Sequence, residues 1–457
     1  MKKFLSVFRW DKAFARKFLV VALPIVIQNL VQSSLHIIDG VMIGQLGDAP
    51  YAAVTQANRF TFVFQLFLYG VASGCGILLS QYWGKKDIGM IRRVMGLGFR
   101  LAMLLVLIFG GLALLAPRRV IALFLPQGES FEYAVTYLTC VAPGYLIQAL
   151  DNVYSNAMKS TEQTRIPMIA GVISILSNTF LNWVMIYGNL GFPALGVQGA
   201  AMATVIAAFV SMAINIAATY YLRMPTAATP RDMQLPDRAT LKRFLLLITP
   251  VVLNEGLWSM GTTMYGVFYG RLGDAAVSAM GIYTTVDNLV FVMIYGIMNA
   301  SAILVGSCLG AGEKDKAWLT AQRMLSACVA VGLAMGVVLL GIRGGLVGIF
   351  KVSQDAQMKA YTILTYAAFF IWLRSINTIN IVGVLRAGGD TFYSMMLDTC
   401  ALWVIGVPLV GIAALVLRLP IEQVFLFTYV EEAVKACLGL SRFRSKKWMH
   451  VLTEPGR

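Results

Sequence analysis

Long apolar runs alternate with short polar joints along the whole chain. Each run is about 20 residues or longer, the length an α-helix needs to cross a hydrocarbon core about 30 Å thick. The pattern predicts twelve spans, over about 18–43, 53–82, 93–116, 132–157, 166–188, 197–222, 244–269, 277–308, 318–341, 357–383, 392–416 and 421–440. The last departs most from the pattern, because it carries Glu422, Glu431, Glu432 and Lys435.

Within the first run, the polar residues follow a rule. At 100° per residue Gln28, Gln32, His36 and Asp39 fall at about 0, 40, 80 and 20°, so they share one narrow face of a helix that is otherwise apolar. A polar stripe ending in a carboxylate needs water or protein partners, and other spans of the same half carry compatible stripes. Gly171, Ser174, Asn178, Asn182 and Met185 line one side of the fifth span, and Asn58, Phe62, Gln65 and Tyr69 one side of the second.

The chain is one unit written twice. Pro24 matches Pro250, Gly40 matches Gly266, and Gly44, Leu46, Gly47, Asp48 and Ala49 match Gly270, Leu272, Gly273, Asp274 and Ala275. Tyr69 and Gly70 likewise match Tyr295 and Gly296, and every pair is 226 positions apart. Lys159 and Thr164 align with Arg386 and Thr391 after a slip of one residue. Six spans per copy give both copies the same orientation, related by an axis along the membrane normal. The expected organisation is a six-helix lobe over 1–222, a cytoplasmic linker over 223–243 with Pro225, Pro230 and Pro236, a second lobe over 244–440, and a basic tail over 441–457. Sites in transporters of this design lie near the midplane at the interface of the repeats. The opening stripe maps onto Asn254, Trp258, Thr262 and Tyr265, polar and aromatic again but without the carboxylate, and the second copy has Glu255 beside that face. Both first helices close with a Gly-x-x-x-Gly, which predicts close helix contact within the bundle.

Composition agrees with this picture. Charged residues make up 13% and hydrophobic ones 58%, with a mean hydropathy of +0.73, far from the roughly 25% charged usage of soluble domains. The net charge of +15 does not point to nucleic acid, because of where it lies. About 26 Lys and Arg fall on the side of the N-terminus and the alternate loops, against about 7 in the opposite loops, which predicts both termini in the cytoplasm. No cleavable signal is expected. The six cysteines lie in or beside apolar runs without a CxxC pair and read as small buried hydrophobes.

Intramembrane charges are costly, so each is a candidate for function: Asp39, Arg59, Arg100, Asp151, Glu255, Asp287, Arg374 and Asp398. Arg59 and Arg100 read best as structural partners or snorkelling side chains. Asp151 shares its helix with Asn152 and Asn156, so a polar helix contact and a transport role weigh equally. Asp39 stands first, with Asn178, Asn182 and His36 as the groups that would tune it for a proton or a weakly held cation, sodium included. Gln28, Gln32, Asn58, Gln65 and Tyr69 of the first half, and Glu255, Trp258, Tyr265, Asp287 and Asp398 of the second, are the candidate contacts for cargo. Acids among rings suit a lipophilic cation. No GxxxxGK[ST], HExxH or GxGxxG after a strand is present, and the loops are too short for a catalytic domain. An enzyme is not expected, and no cofactor beyond a coupling ion.

The run Leu23-Pro24 through Ile38-Asp39-Gly40 and Ile43-Gly44-Gln45-Leu46-Gly47, its echo at Pro250 and Gly270-Arg271-Leu272-Gly273, and Leu385-Arg386-Ala387-Gly388-Gly389-Asp390-Thr391 resemble the multidrug and toxic compound extrusion family over nearly the whole chain. The resemblance implies an all-α antiporter that exports cationic or amphipathic small molecules in exchange for protons or sodium by alternating access. A monomer in the plasma membrane, with no nucleic-acid partner, is expected. Asp39 matches the family's first-helix aspartate and Asn178 its fifth-helix asparagine. Asn182 stands where many bacterial relatives carry a second aspartate, and Glu255 resembles a seventh-helix glutamate of another branch. The competing reading is a flippase for a lipid-linked precursor, which would line its cavity with cations such as Arg59, Arg100 and Arg374.

Overall fold

The computed structural model describes residues 11–454, apart from the side chains of His36 and Ile37. Among the described residues there is no strand, and twelve long helical stretches run in chain order. They are α1 (Lys12–Gly44), α2 (Asp48–Lys85), α3 (Ile88–Leu115), α4 (Glu129–Ser160), α5 (Arg165–Tyr187) and α6 (Val197–Tyr221) in the first copy. The second copy holds α7 (Arg238–Gly270), α8 (Asp274–Gly310), α9 (Lys314–Ile349), α10 (Gln354–Leu385), α11 (Thr391–Val416) and α12 (Ile421–Arg444). Ten of these are long and apolar enough to cross a membrane. The other two are α4 and α12, which carry Asp151 and Lys159, and Glu431, Glu432 and Lys435.

The sequence repeat is also a repeat of element boundaries. Helices α1, α2 and α3 begin at residues 12, 48 and 88, and α7, α8 and α9 at 238, 274 and 314, each 226 later. The shared Leu-Gly-Asp-Ala turn has a physical reason. Gly47 and Gly273 precede α2 and α8 at φ 111° and 99°, a left-handed backbone that favours glycine. Asp48 and Asp274 then sit in the first helical turn, where a negative charge complements the helix dipole. The Asp87 side chain caps α3 by accepting from the Met90 amide at 3.0 Å, and Ser353 caps α10 in the same way.

Two compact units result, one of residues 27–248 and one of residues 11–26 with 249–454. The core of the first is built from Ala53, Ala57, Phe60 and Phe64 of α2 and Leu138, Val141 and Tyr145 of α4, with Tyr145 stacked on Phe64 at 4.6 Å. The second has two cores, one around Ile303, Leu304, Met324 and Leu385 and one around Ile282, Ile363, Leu364 and Phe425.

The expected close contacts at the two Gly-x-x-x-Gly pairs are not there: a Cβ on Gly40, Gly266 or Gly270 would meet nothing within 4 Å, and one on Gly44 only the Tyr51 ring at 3.8 Å, an ordinary contact. Tight approach falls on other glycines. Gly144 faces Val205, Gly199 the Met185 carbonyl and Gly336 the Ala368 carbonyl. A motif of spacing alone does not say which neighbour a helix face meets.

The segments that follow the two lobes fold back onto helices of their own units. Arg92 on α3 pairs with Asp232 at 3.1 Å and donates to the Pro225 carbonyl. Arg100 donates to the carbonyls of Met233 and Gly96, both at 2.8 Å, so this intramembrane charge serves the linker. At the other end of the chain, Trp448 is fully buried with its ring stacked on Phe443, and Arg442 pairs with Asp390 at 2.6 Å. Trp318 occupies in α9 the place of Arg92 in α3, 226 residues on, and stacks on Phe443 at 4.5 Å.

Candidate functional site

In the first-copy unit the polar stripes of α1 and α5 meet. Asn182 Nδ2 donates to Asp39 Oδ1 at 2.6 Å and to Asn178 Oδ1 at 2.9 Å. Asn178 in turn reaches Thr204 of α6 at 3.5 Å. The Tyr137 hydroxyl of α4 interacts with Asn58 and Thr204 and lies in the field of Asp39. Asn178 and Asn182 are each 1% exposed, and Asn182 Oδ1 has no protein partner. Gln28, about three turns before Asp39, lies against Gly171 of α5, and Ser174 donates to the Ala207 carbonyl at 2.7 Å. The predicted face of α1 therefore meets the predicted face of α5.

Other first-copy candidates stand further out. Gln32, Asn58 and Gln65 are exposed, with Gln65 donating to Gln148 at 3.4 Å, and Tyr69 is 38% exposed. His36 lies outside the described side chains.

The second-copy unit has different electrostatics, because every acid singled out there has a cation beside it. Glu255 pairs with Arg386 at 2.7 Å. Asp287 pairs with Arg374 at 2.7 Å and accepts from Tyr283 at 3.2 Å, and the guanidinium lies 4.3 Å from the Phe291 ring centroid. Asp398 pairs with Lys435 at 2.8 Å and accepts from Asn254 at 3.0 Å. Lys435 also bridges to Glu431, which accepts from Tyr265. Tyr265, at the register position of Asp39, thus hands its hydroxyl to a carboxylate on α12. Trp258 is 38% exposed.

This pairing alters the expected role of Glu255, Asp287 and Asp398. A buried carboxylate beside a lysine or arginine is compensated within the protein, whereas Asp39 has no lysine or arginine at salt-bridge distance among the described residues. Thr204, Tyr137, Arg386 and Lys435 were not among the predicted site residues. A signal existed for Thr204, which shares a stripe of α6 with Ser211 and Asn215 at spacings of seven and eleven residues. Arg386 and Lys435 were visible as charges in the sequence, but nothing there paired them with Glu255 and Asp398, which are far off along the chain. The described residues hold no grouping of three or more His, Cys, Asp or Glu placed to hold a metal ion.

A duplicated twelve-helix membrane fold whose first half holds acids without a lysine or arginine at salt-bridge distance, among the described residues, has the design of a transporter. The comparisons give the family. The MatE family model matches residues 24–184 and 250–412, and the chain belongs to that family, as its motifs indicated.

Among its relatives, "Uncharacterized transporter YisQ" of Bacillus subtilis is 25% identical, covering 93% of each chain. "Probable multidrug resistance protein NorM" of Thermotoga maritima is 23% identical over 95% of this chain and 93% of that one. The fold matches a crystal structure of a MATE protein in complex with MaL6, with a TM-score of 0.86, 20% identity and coverage of 94% and 95%. It also matches a MOP superfamily transporter from Pyrococcus furiosus, with a TM-score of 0.83, 20% identity and 96% of each chain covered.

Proposed function

We propose that this protein is a secondary active efflux antiporter, which exports cationic or amphipathic small molecules in exchange for protons, with Asp39 as the coupling group. The observation that carries the reading is the contrast between the candidate acids of the two lobes: Glu255, Asp287 and Asp398 are ion-paired, while Asp39 is held by an amide alone. An unpaired buried carboxylate requires a positive charge from elsewhere, and a proton and a cationic substrate are alternative ways to supply it.

The ionised form of Asp39 favours bound cargo, and protonation from outside removes that preference. A ligand drives a conformational change only through its differential affinity for two states, and this competition provides one. Asn182 suits both forms of the acid, since its N–H donates to the carboxylate and its unpartnered Oδ1 can accept from the protonated acid after the amide turns. Within the first-copy unit, Gln32, Asn58, Gln65 and Tyr69 are exposed positions suited to contact an amphipathic cargo.

The flippase alternative loses support, because Arg100 is engaged with the linker and Arg374 with Asp287. The Lys and Arg bias supports a plasma-membrane protein with both termini inside. The test is transport of a panel of cationic dyes from proteoliposomes under imposed gradients. A proton gradient alone should drive efflux. Efflux driven by a sodium gradient alone, at constant pH on both sides, would overturn the proton assignment.

A further inference from the structure

The first lobe holds another acid that the coupling scheme leaves unused. Asp151 of α4 accepts from Asn215 Nδ2 at 2.6 Å and from Ser211 Oγ at 2.9 Å, both on α6. Among the described residues no lysine or arginine lies at salt-bridge distance from it, in contrast to Glu255, Asp287, Asp398 and Glu431 of the other lobe.

We infer that Asp151 is a second exchangeable-proton site of the first lobe, nearer the cytoplasm than Asp39. The inference rests on reading Asp39 as a proton site, because the two share one design. Each carboxylate receives an asparagine N–H at 2.6 Å. Each of those asparagines is 1% exposed and leaves its own Oδ1 without a partner. A buried amide oxygen without a donor is costly, and a protonated carboxyl beside it supplies that donor once the amide turns.

The two sites lie along the same elements. Thr204, Ser211 and Asn215 fall within about 40° of one another on α6. On α4, Tyr137 touches the Asp39 network and Asp151 follows fourteen residues on, about 21 Å along the axis at 1.5 Å per residue. That distance separates an outer from an inner acid, so protons would pass between them through water rather than directly.

The elements packed around Asp151 carry, among other titratable and charged groups, Lys159, Tyr145 and Tyr154 on α4, Tyr69 and Cys75 on α2, Arg100 on α3 and Tyr220 on α6. Arg100 is turned to backbone carbonyls, and Tyr154 and Tyr220 hydrogen-bond each other at 2.9 Å. Lys159, two turns away, is the charge that acts on Asp151.

Infrared difference spectra of the full-length protein in lipid nanodiscs, recorded across a pH step, test this without any transport substrate. The wild type should give two protonated-carboxyl bands from the first lobe. Asp39→Asn should remove one and Asp151→Asn the other, each with loss of roughly half the signal. Ser211→Ala keeps the acid and the fold, and should move only the Asp151 band. A signal unchanged in Asp151→Asn, or a Ser211→Ala spectrum identical to wild type, would overturn the inference. Failure of the Asp39 reading has a separate signature, an Asp39→Asn spectrum in which no band is lost.

Discussion

Asn182 donates a 2.6 Å hydrogen bond to Asp39 across 143 positions of sequence, and with it ties α5 to α1. A hydrogen bond to a charged group contributes roughly 1.5–3 kcal/mol. Asn182→Leu, which keeps the volume and removes the donor, should therefore reduce proton-driven dye efflux on the order of 10-fold or more, measured in proteoliposomes at matched protein density. Efflux within twofold of wild type would mean that the amide does not tune the acid.

In the second lobe Lys435 is the hub, since Asp398 and Glu431 both rest on it and its side chain is only 4% exposed. Removing one member of a buried ion pair leaves an uncompensated charge at a cost of about 3–5 kcal/mol. Lys435→Met should lower the thermal unfolding midpoint in detergent clearly, and adding Glu431→Gln should recover part of the loss. A double variant no more stable than the single one would contradict the hub.

The linker contact has a pH dependence of defined sign. Asp232 accepts from the backbone N–H and the hydroxyl of Thr229 and lies beside Arg92, and these hold its carboxyl below the usual carboxylate range. A group with a depressed folded value contributes stability above its unfolded pKa of about 4, and that contribution is lost as pH falls through the lower folded value. A spin label at Arg231 should be equally immobile at pH 7 and pH 5 and gain mobility only under stronger acid. Arg92→Ala should loosen the same label at neutral pH.

Gly388 marks where the C-terminal segment docks. A Cβ there would collide with the carbonyl and ring of Trp448, and the His450 amide donates to the Gly388 carbonyl at 3.0 Å. Overpacking of this kind costs about 1–3 kcal/mol. Gly388→Ala should expose residues 445–454 to limited proteolysis, whereas Gly111→Ala, where a Cβ meets nothing within 4 Å, should leave the digestion pattern unchanged.

The spans, the duplication and the face of α1 were all legible in the sequence, because apolar length and 100° periodicity determine them. So was the partner stripe on α5: Asn182, read there as a departure from the family pattern, is the residue that holds Asp39. The counter-ions of the second lobe were not legible. Arg386 lies 131 residues from Glu255 and Lys435 lies 37 from Asp398 (435−398), and periodicity gives a face for each helix without saying which helix that face meets. The same reason explains the open Gly40 and Gly266. Their spacing describes one helix, and close contact is a property of two.

The central claim is that Asp39 couples transport to the proton gradient. The most direct measurement compares two activities of Asp39→Asn in proteoliposomes, uphill dye efflux driven by a proton gradient and dye exchange with no gradient. Loss of the first with retention of the second is the predicted result. Uphill, proton-driven efflux at the wild-type rate in this variant would contradict the account.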